Sequence, residues 1–524
     1  MVSRFARRCK VSPGPLGRRR PLAPHAARRA RQWLAGRGPS CLSSARLSAS
    51  PPGSLTAGTR AAPLNVPLGA VTSPRGPLVY AGSLVNAGAP SGPSTARRWG
   101  IWAVVAAVFV ISHFHRVAPA VVARELMGRF GASAVAVSAL AAIYFYVYAA
   151  MQIPSGLLAD RLGPQRLATA GAALMALGSA AFGVAPTLSL LSLARFVVGL
   201  GASVIFVSGM RLAASWFPPR EYGVMAGLMI TAGGLGSLLG TTPLAVMVEA
   251  VGWPGAFELV GAVTALLAGL AWGIVRDRPP ETGGAGLAGA PPGEPGPILE
   301  RLRRVLGNPR TWPPFLIFFG LYGTFGTFAG LWGVPYLRDV YGFPARRAAG
   351  YAFLLSLGFM VGGPVVGWLS DRFLRRRSPM ILLSAASALL WGLLAVTRPP
   401  EPWLPVLYLA LGLAASGIAL TWVLGREVNP PGLAGLAVGA VNLGGFVGVA
   451  LLQVVAGLLL DTSWGGAMAE GARVYPLAAY QRTFLLAFSV MAVTTLVATR
   501  AVETRGRNVY AEPAGRLGGV EDRG

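Results

Sequence analysis

The chain has 524 residues, of which 53% are hydrophobic and 12% charged, at a mean hydropathy of +0.56. A soluble domain carries about 25% charged residues, so most of this chain is expected to have lipid as its solvent. The net charge of +27 does not point to nucleic acid, because fifteen arginines and Lys10 crowd into residues 1–98 without a single acid.

That N-terminal stretch, residues 1–98, is rich in arginine, proline and glycine and cannot bury a core. Its Arg- and Ser-rich, acid-poor character resembles an organellar transit peptide. Lys10 is the only lysine against 45 arginines, a codon-bias signature, so the stretch is expected to be a disordered tail or an upstream-extended start. It contains both cysteines, Cys9 and Cys41, which excludes a disulfide framework or a cysteine-ligated metal in the rest of the chain. No nucleotide-binding loop, metal cluster or nucleophile elbow follows. Neither an enzyme, nor a cofactor, nor a metal site is expected.

Apolar runs long enough to cross a bilayer begin after Arg98, and in lipid they must be helices. Six are read near residues 100–122, 134–158, 167–186, 188–212, 222–248 and 253–275. A polar linker over 276–312 follows, in which "ILERLRRVL" is expected to form a short amphipathic helix on the membrane surface. Six more spans are read near 313–337, 348–369, 379–397, 403–425, 433–460 and 482–500, and residues 501–524 form a C-terminal tail. The expected fold is all-α: a polytopic protein of twelve transmembrane helices in two pseudo-symmetric six-helix bundles, 99–275 and 313–500. With the start inside, nineteen arginines from residue 99 onward fall in cytoplasmic segments and eight outside, which places both termini in the cytoplasm of a multi-pass cell-membrane protein.

Ionisable residues inside spans are costly, so they are functional candidates. Arg116 in span one and Arg195 in span four fall at comparable depth by helical rise, and two guanidiniums facing a cavity would bind carboxylate or phosphate. His113 and His115 flank Arg116, and His115 is the candidate neighbour. Tyr144, Tyr148 and Gln152 recur at i, i+4 and i+8 on one face of span two, and Phe318, Tyr322, Phe325 and Trp332 form a similar stripe in span seven. Packing is the plainer role for such stripes, as interhelical hydrogen bonding is for Asn442 and Gln453 in span eleven. Arg211 and Arg426 end spans four and ten and are read as interface anchors or inner-face gates. Glu258 is the clearest carboxylate within a span. This scarcity of acid beside an excess of arginine tilts the substrate toward anions.

The stretch "GLLADRLGPQR" (156–166) joins spans two and three, and "GWLSDRFLRRR" (367–377) holds the same place in the second half. Gly156, Asp160 and Arg161 recur 211 residues on as Gly367, Asp371 and Arg372, and Gly233-Gly234 recur at the same offset as Gly444-Gly445. A repeat of this kind predicts two halves with a site between them. Gly156 is expected to allow close helix approach and Gly163 a tight turn, while Arg161 and Arg166 hold the loop inside.

With Leu158, Ala159, Gly163 and Arg166, the first of these loops resembles the signature of the major facilitator superfamily of secondary transporters, although Pro164 and Gln165 replace a usual basic pair. "RFVVGLGA" (195–202) resembles the family's fourth-span signature, and the likeness covers residues 99–505. Within the superfamily the chain is similar to a bacterial branch of organic-anion and sugar-phosphate permeases. The resemblance implies alternating access, with spans one and four lining the cavity and the 156–166 loop latching the inner side. The expected partners are the lipid bilayer and a small polar, anionic organic substrate, with a coupling proton or counter-anion left open; a monomer is expected, and no nucleic acid. A dipeptide or neutral-solute carrier, a drug exporter and a non-transporting membrane sensor are the competing readings.

Overall fold

The structure is a computed structural model that describes residues 95–218, 221–279, 297–373 and 375–510. The N-terminal tail up to residue 94, linker residues 280–296, tail residues 511–524 and the side chain of Asp160 lie outside the described residues.

Among the described residues ten helices are long and apolar enough to cross a membrane, and a bent pair makes an eleventh span. The twelfth expected span, span five, is the short apolar helix Tyr222–Leu239, carried onward by the start of Thr242–Ile274. Span five ends where Gly252 takes φ +73 inside that second stretch and turns the chain into span six, with Pro254 opening the new helix. Glycine adopts this backbone without the clash a Cβ would make, and proline is tolerated in a first helical turn. The expected helix starts differ by a few residues: span one begins at Thr95 and runs to Phe130.

Span two is not one continuous helix. Ala134–Ala150 and Gln152–Leu162 meet at Met151 with a bend of 51°. Gln152 stays on the tyrosine face across the break, meeting Asn442 of span eleven as Tyr148 meets Phe446 one turn further along that span. Span seven also departs from a straight α-helix: Trp312–Thr327 passes through a π-helical turn, Phe328–Trp332, before Gly333–Tyr341. Such turns widen a helix locally and often mark functional positions.

The packing repeats with the sequence. Span one lies against span five as span seven lies against span eleven; spans three and six pair as nine and twelve do. Between the halves, span two packs on span eleven and span five on span eight, which is one contact seen twice under a pseudo-twofold axis. Small residues bring these helices together. A Cβ on Gly171 or Gly201 would strike the backbone of the facing span, and Gly358 and Gly412 meet in the second half in the same manner. The linker helix Ile298–Leu306 forms as expected and buries Val305 against Leu433, Ala437 and Ala440 at the start of span eleven.

Candidate functional site

Arg116 sits at the meeting of the halves, 8% exposed. Its Nε donates to the Tyr144 hydroxyl at 3.4 Å, and its Nη1 donates across the interface to the Tyr322 hydroxyl of span seven at 3.2 Å. The rings of Tyr148 and Phe446 cover the guanidinium, with centroids 4.6 Å and 5.2 Å from Cζ. Tyr144 is itself fixed: its hydroxyl donates to the Ser112 carbonyl at 3.0 Å and lies 3.2 Å from the Ser112 hydroxyl. The rings of Tyr148 and Phe446 meet across the halves, 4.4 Å apart and tilted by 32°. The result is a cation held by phenols and flanked by aromatic faces, with residues of both halves in the cage.

Arg195, 2% exposed, lies on the same tyrosine, its Cζ 5.0 Å from the Tyr144 centroid. Its Nε and Nη2 are buried without a hydrogen-bond partner. Among the described residues no carboxylate forms an ion pair with Arg116 or Arg195. A buried cation without an acid is destabilised by lost hydration, so both groups suit an anionic ligand.

The remaining expected site residues divide. His115 is buried with neither ring nitrogen bonded, and it turns toward span six, its ring 6.0 Å from that of Phe257, outside the Arg116 cage. His113 bonds the Phe109 carbonyl within its own helix. Gln152 accepts from Asn442 Nδ2 at 3.1 Å, a second polar link between the halves. Glu258 is exposed and takes no part. Phe446 escaped the sequence reading although it follows the Gly444-Gly445 pair; Tyr322 was legible as part of an aromatic stripe, but not as the partner of Arg116.

The hairpin at 156–166 is built differently from expectation. Gly163 takes φ +79, and a Cβ there would run into the carboxylate of Asp277. That carboxylate accepts from Gln165 N at 2.7 Å, so the turn is clamped to the end of span six. Gly156 does not mediate close packing: open space surrounds its Cβ position, as it does at Gly367. Arg161 and Arg166 are exposed. In the second copy Arg372 is exposed and Arg376 does the pairing, bonding Asp371 at 2.6 Å, Ser370 at 2.8 Å and buried Glu427 at 3.5 Å. Burial opposes the charge on Arg376, but the bond to Asp371 and the charge of Glu427 outweigh it and raise its pKa above the ordinary arginine value. Arg211 and Arg426 carry exposed side chains at the ends of their spans.

The face where spans one and two join, the predicted outer face, is sealed across the halves. Asp461 at the end of span eleven accepts from Ala134 N at 3.1 Å and Val135 N at 2.8 Å, capping span two. Arg338 pairs with Glu125 at 2.6 Å, and the short hairpin Met468–Arg473 presents Glu470 to Arg124 and Arg338. Tyr475 donates to Asp461 at 2.8 Å; burial, then this bond, pushes its phenol above the ordinary tyrosine pKa. At the opposite face the Arg376 cluster bonds within one half, where the Glu503 carboxylate accepts from Arg376 N and Arg377 N.

Comparisons with known proteins identify the family and the fold. The family model described as Major Facilitator Superfamily matches residues 100–453. The chain is 30% identical over 321 residues to a probable nitrate/nitrite transporter of Mycobacterium tuberculosis, covering 59% of this chain and 77% of that protein. It is 25% identical over 383 residues to a probable sulfoacetate transporter of Cupriavidus necator, covering 69% of this chain and 87% of that one. Among solved structures, a bacterial homolog of the human lysosomal transporter Spinster, inward-facing and unoccupied, superposes with a TM-score of 0.67 at 16% identity over 79% of this chain and 99% of that one. At that identity the likeness speaks for the fold alone.

Proposed function

The chain belongs to the Major Facilitator Superfamily, and from that premise we propose that it carries a small organic anion across the cell membrane by alternating access, with Arg116 receiving the anion. It is a multi-pass membrane transporter and not an enzyme. The observation that carries the substrate reading is the buried Arg116 guanidinium, bonded to Tyr144 in one half and Tyr322 in the other with no acid to neutralise it. An anion placed there replaces lost hydration and gains bidentate, charge-assisted bonds. The relatives named above are named for nitrate, nitrite and sulfoacetate, which are anions.

The orientation follows from the arginine distribution: both termini lie in the cytoplasm, and the face sealed by Asp461 and Arg338 looks outward. Transport then requires that seal to break while the inner ends close, and the 156–166 hairpin acts at the inner side. The test is uptake into proteoliposomes of a labelled panel of carboxylates, sulfonates, neutral sugars and dipeptides, with and without a pH gradient. Anions should accumulate, and Arg116→Gln should reduce that uptake at least tenfold, a loss of about 1.4 kcal/mol or more. Movement of neutral sugars but not of anions contradicts the reading, and the gradient arm identifies the coupling species.

A further inference from the structure

Two guanidiniums lie against Tyr144, yet only one reaches the interface between the halves. Arg116 donates to Tyr322 at 3.2 Å and is covered by the rings of Tyr148 and Phe446. With Nε and Nη1 engaged by Tyr144 and Tyr322, the guanidinium offers a ligand its remaining N–H groups, a planar edge that matches two oxygens of one carboxylate or sulfonate group. The Tyr322 hydroxyl accepts from Arg116, so its own proton is available to a ligand at that edge. Arg195 stands within the first half: among the described residues its partner is the Tyr144 ring, 5.0 Å from Cζ. Tyr144 contacts both cations, its ring against Arg195 and its hydroxyl committed to Ser112 and Arg116.

We infer that the site takes a substrate with a single anionic group, held jointly by Arg116 and Tyr322, and that Arg195 is a positioning residue which fixes Tyr144 without touching substrate. The inference rests on the anion-transport reading above. A monoanion bound at this edge ties span one to span seven, one span from each half, so binding and closure are the same event. A second carboxylate on the same substrate meets the phenols and aromatic rings around Arg116. Removing it from water without a cation lowers affinity. The unbonded Nε and Nη2 of Arg195 state the opposite possibility in testable form, since a dianion reaching past Tyr144 would use them.

The experiment uses the full chain in proteoliposomes and three matched pairs: propionate with succinate, gluconate with glucarate, and methanesulfonate with sulfoacetate. Glucitol serves as the neutral control. In each pair that binds, the monoanion is expected to bind about tenfold or more tightly than its dianionic partner. Arg195→Gln should weaken both members of a pair equally, Arg195→Lys should restore them, and Tyr322→Phe should raise the monoanion KM about tenfold, the scale of one lost charge-assisted hydrogen bond. A dianion that binds as well as its partner, or a selective loss of dianions in Arg195→Gln, overturns the single-charge inference while anion transport stands. If no anion of the panel binds, the transport reading itself fails.

Discussion

Consider Asp461→Ala, which removes the acceptor that seals the predicted outer face. Of the groups bonded to the carboxylate, Tyr475 at 2.8 Å and Arg473 at 3.1 Å belong to its own half and stay with it when the halves part. Ala134 N and Val135 N, at 3.1 Å and 2.8 Å, are left behind with the Ser133 side chain at the same helix start. The cross-half contribution is therefore that of a helix cap, about 0.5–2 kcal/mol, plus that of a negative charge at a helix N-terminus, about 0.3–1 kcal/mol. Together these favour the sealed state by about 1–3 kcal/mol, a factor of roughly 5–150 in the equilibrium between sealed and open forms. Spin labels introduced by Arg129→Cys and Thr462→Cys, with Cys9→Ser and Cys41→Ser, read the distance between the halves at this face. The parent should give one short distance, and Asp461→Ala should add a longer population. An unchanged distance distribution together with an unchanged rate of transport refutes the reasoning, because it leaves the cap no part in closure.

The other predictions concern the inner side and the second copy of the loop. Gly163→Ala forces a side chain onto a φ of +79 and into the Asp277 carboxylate, so the unfolding midpoint in detergent should fall by the equivalent of about 1–3 kcal/mol, whereas Gly156→Ala, facing open space, should leave it unchanged or slightly raised. Arg376→Gln strips buried Glu427 of its cation and should cost about 3 kcal/mol; adding Glu427→Gln should recover much of that, and an additive double mutant would show that the pair is not coupled. Gln152→Cys with Asn442→Cys, in the background lacking Cys9 and Cys41, should be joined by a short bifunctional thiol reagent, and the joined protein should lose turnover. Cross-linking that leaves transport intact would remove this amide pair from the moving interface.

Much of the fold was legible because lipid imposes simple demands. Long charge-free runs must be helices, and the recurrence of Gly156, Asp160 and Arg161 as Gly367, Asp371 and Arg372 announced the repeat that the paired packing of spans displays. What escaped was set by contacts between residues distant in sequence. The bend in span two is an exception with a local cause, Pro154, which cannot donate to the Ala150 carbonyl four residues back, and the turn at Gly252 hides within an apolar run. Arg116, Tyr144 and Tyr148 were readable as costly or polar-tipped residues at helical spacing. Phe446 and the Tyr322 bond belong to the other half and appear only when the halves meet. The direction of His115 was hidden for a related reason: adjacent helix positions point about 100° apart, so this neighbour of Arg116 in sequence faces Phe257. Motif matching likewise gave Arg372 the place that Arg376 fills, because four arginines among residues 372–377 were interchangeable by composition and not by geometry.

The central claim is that one buried guanidinium receives the anion between the halves. Equilibrium binding of the labelled anion that the wild-type protein accumulates best, measured on purified wild type and on Arg116→Gln that elutes as a folded species, tests it most directly. The structure predicts saturable binding to the wild type and a loss of at least tenfold in affinity in the variant, about 1.4 kcal/mol or more. Equal affinities in the two proteins would contradict it.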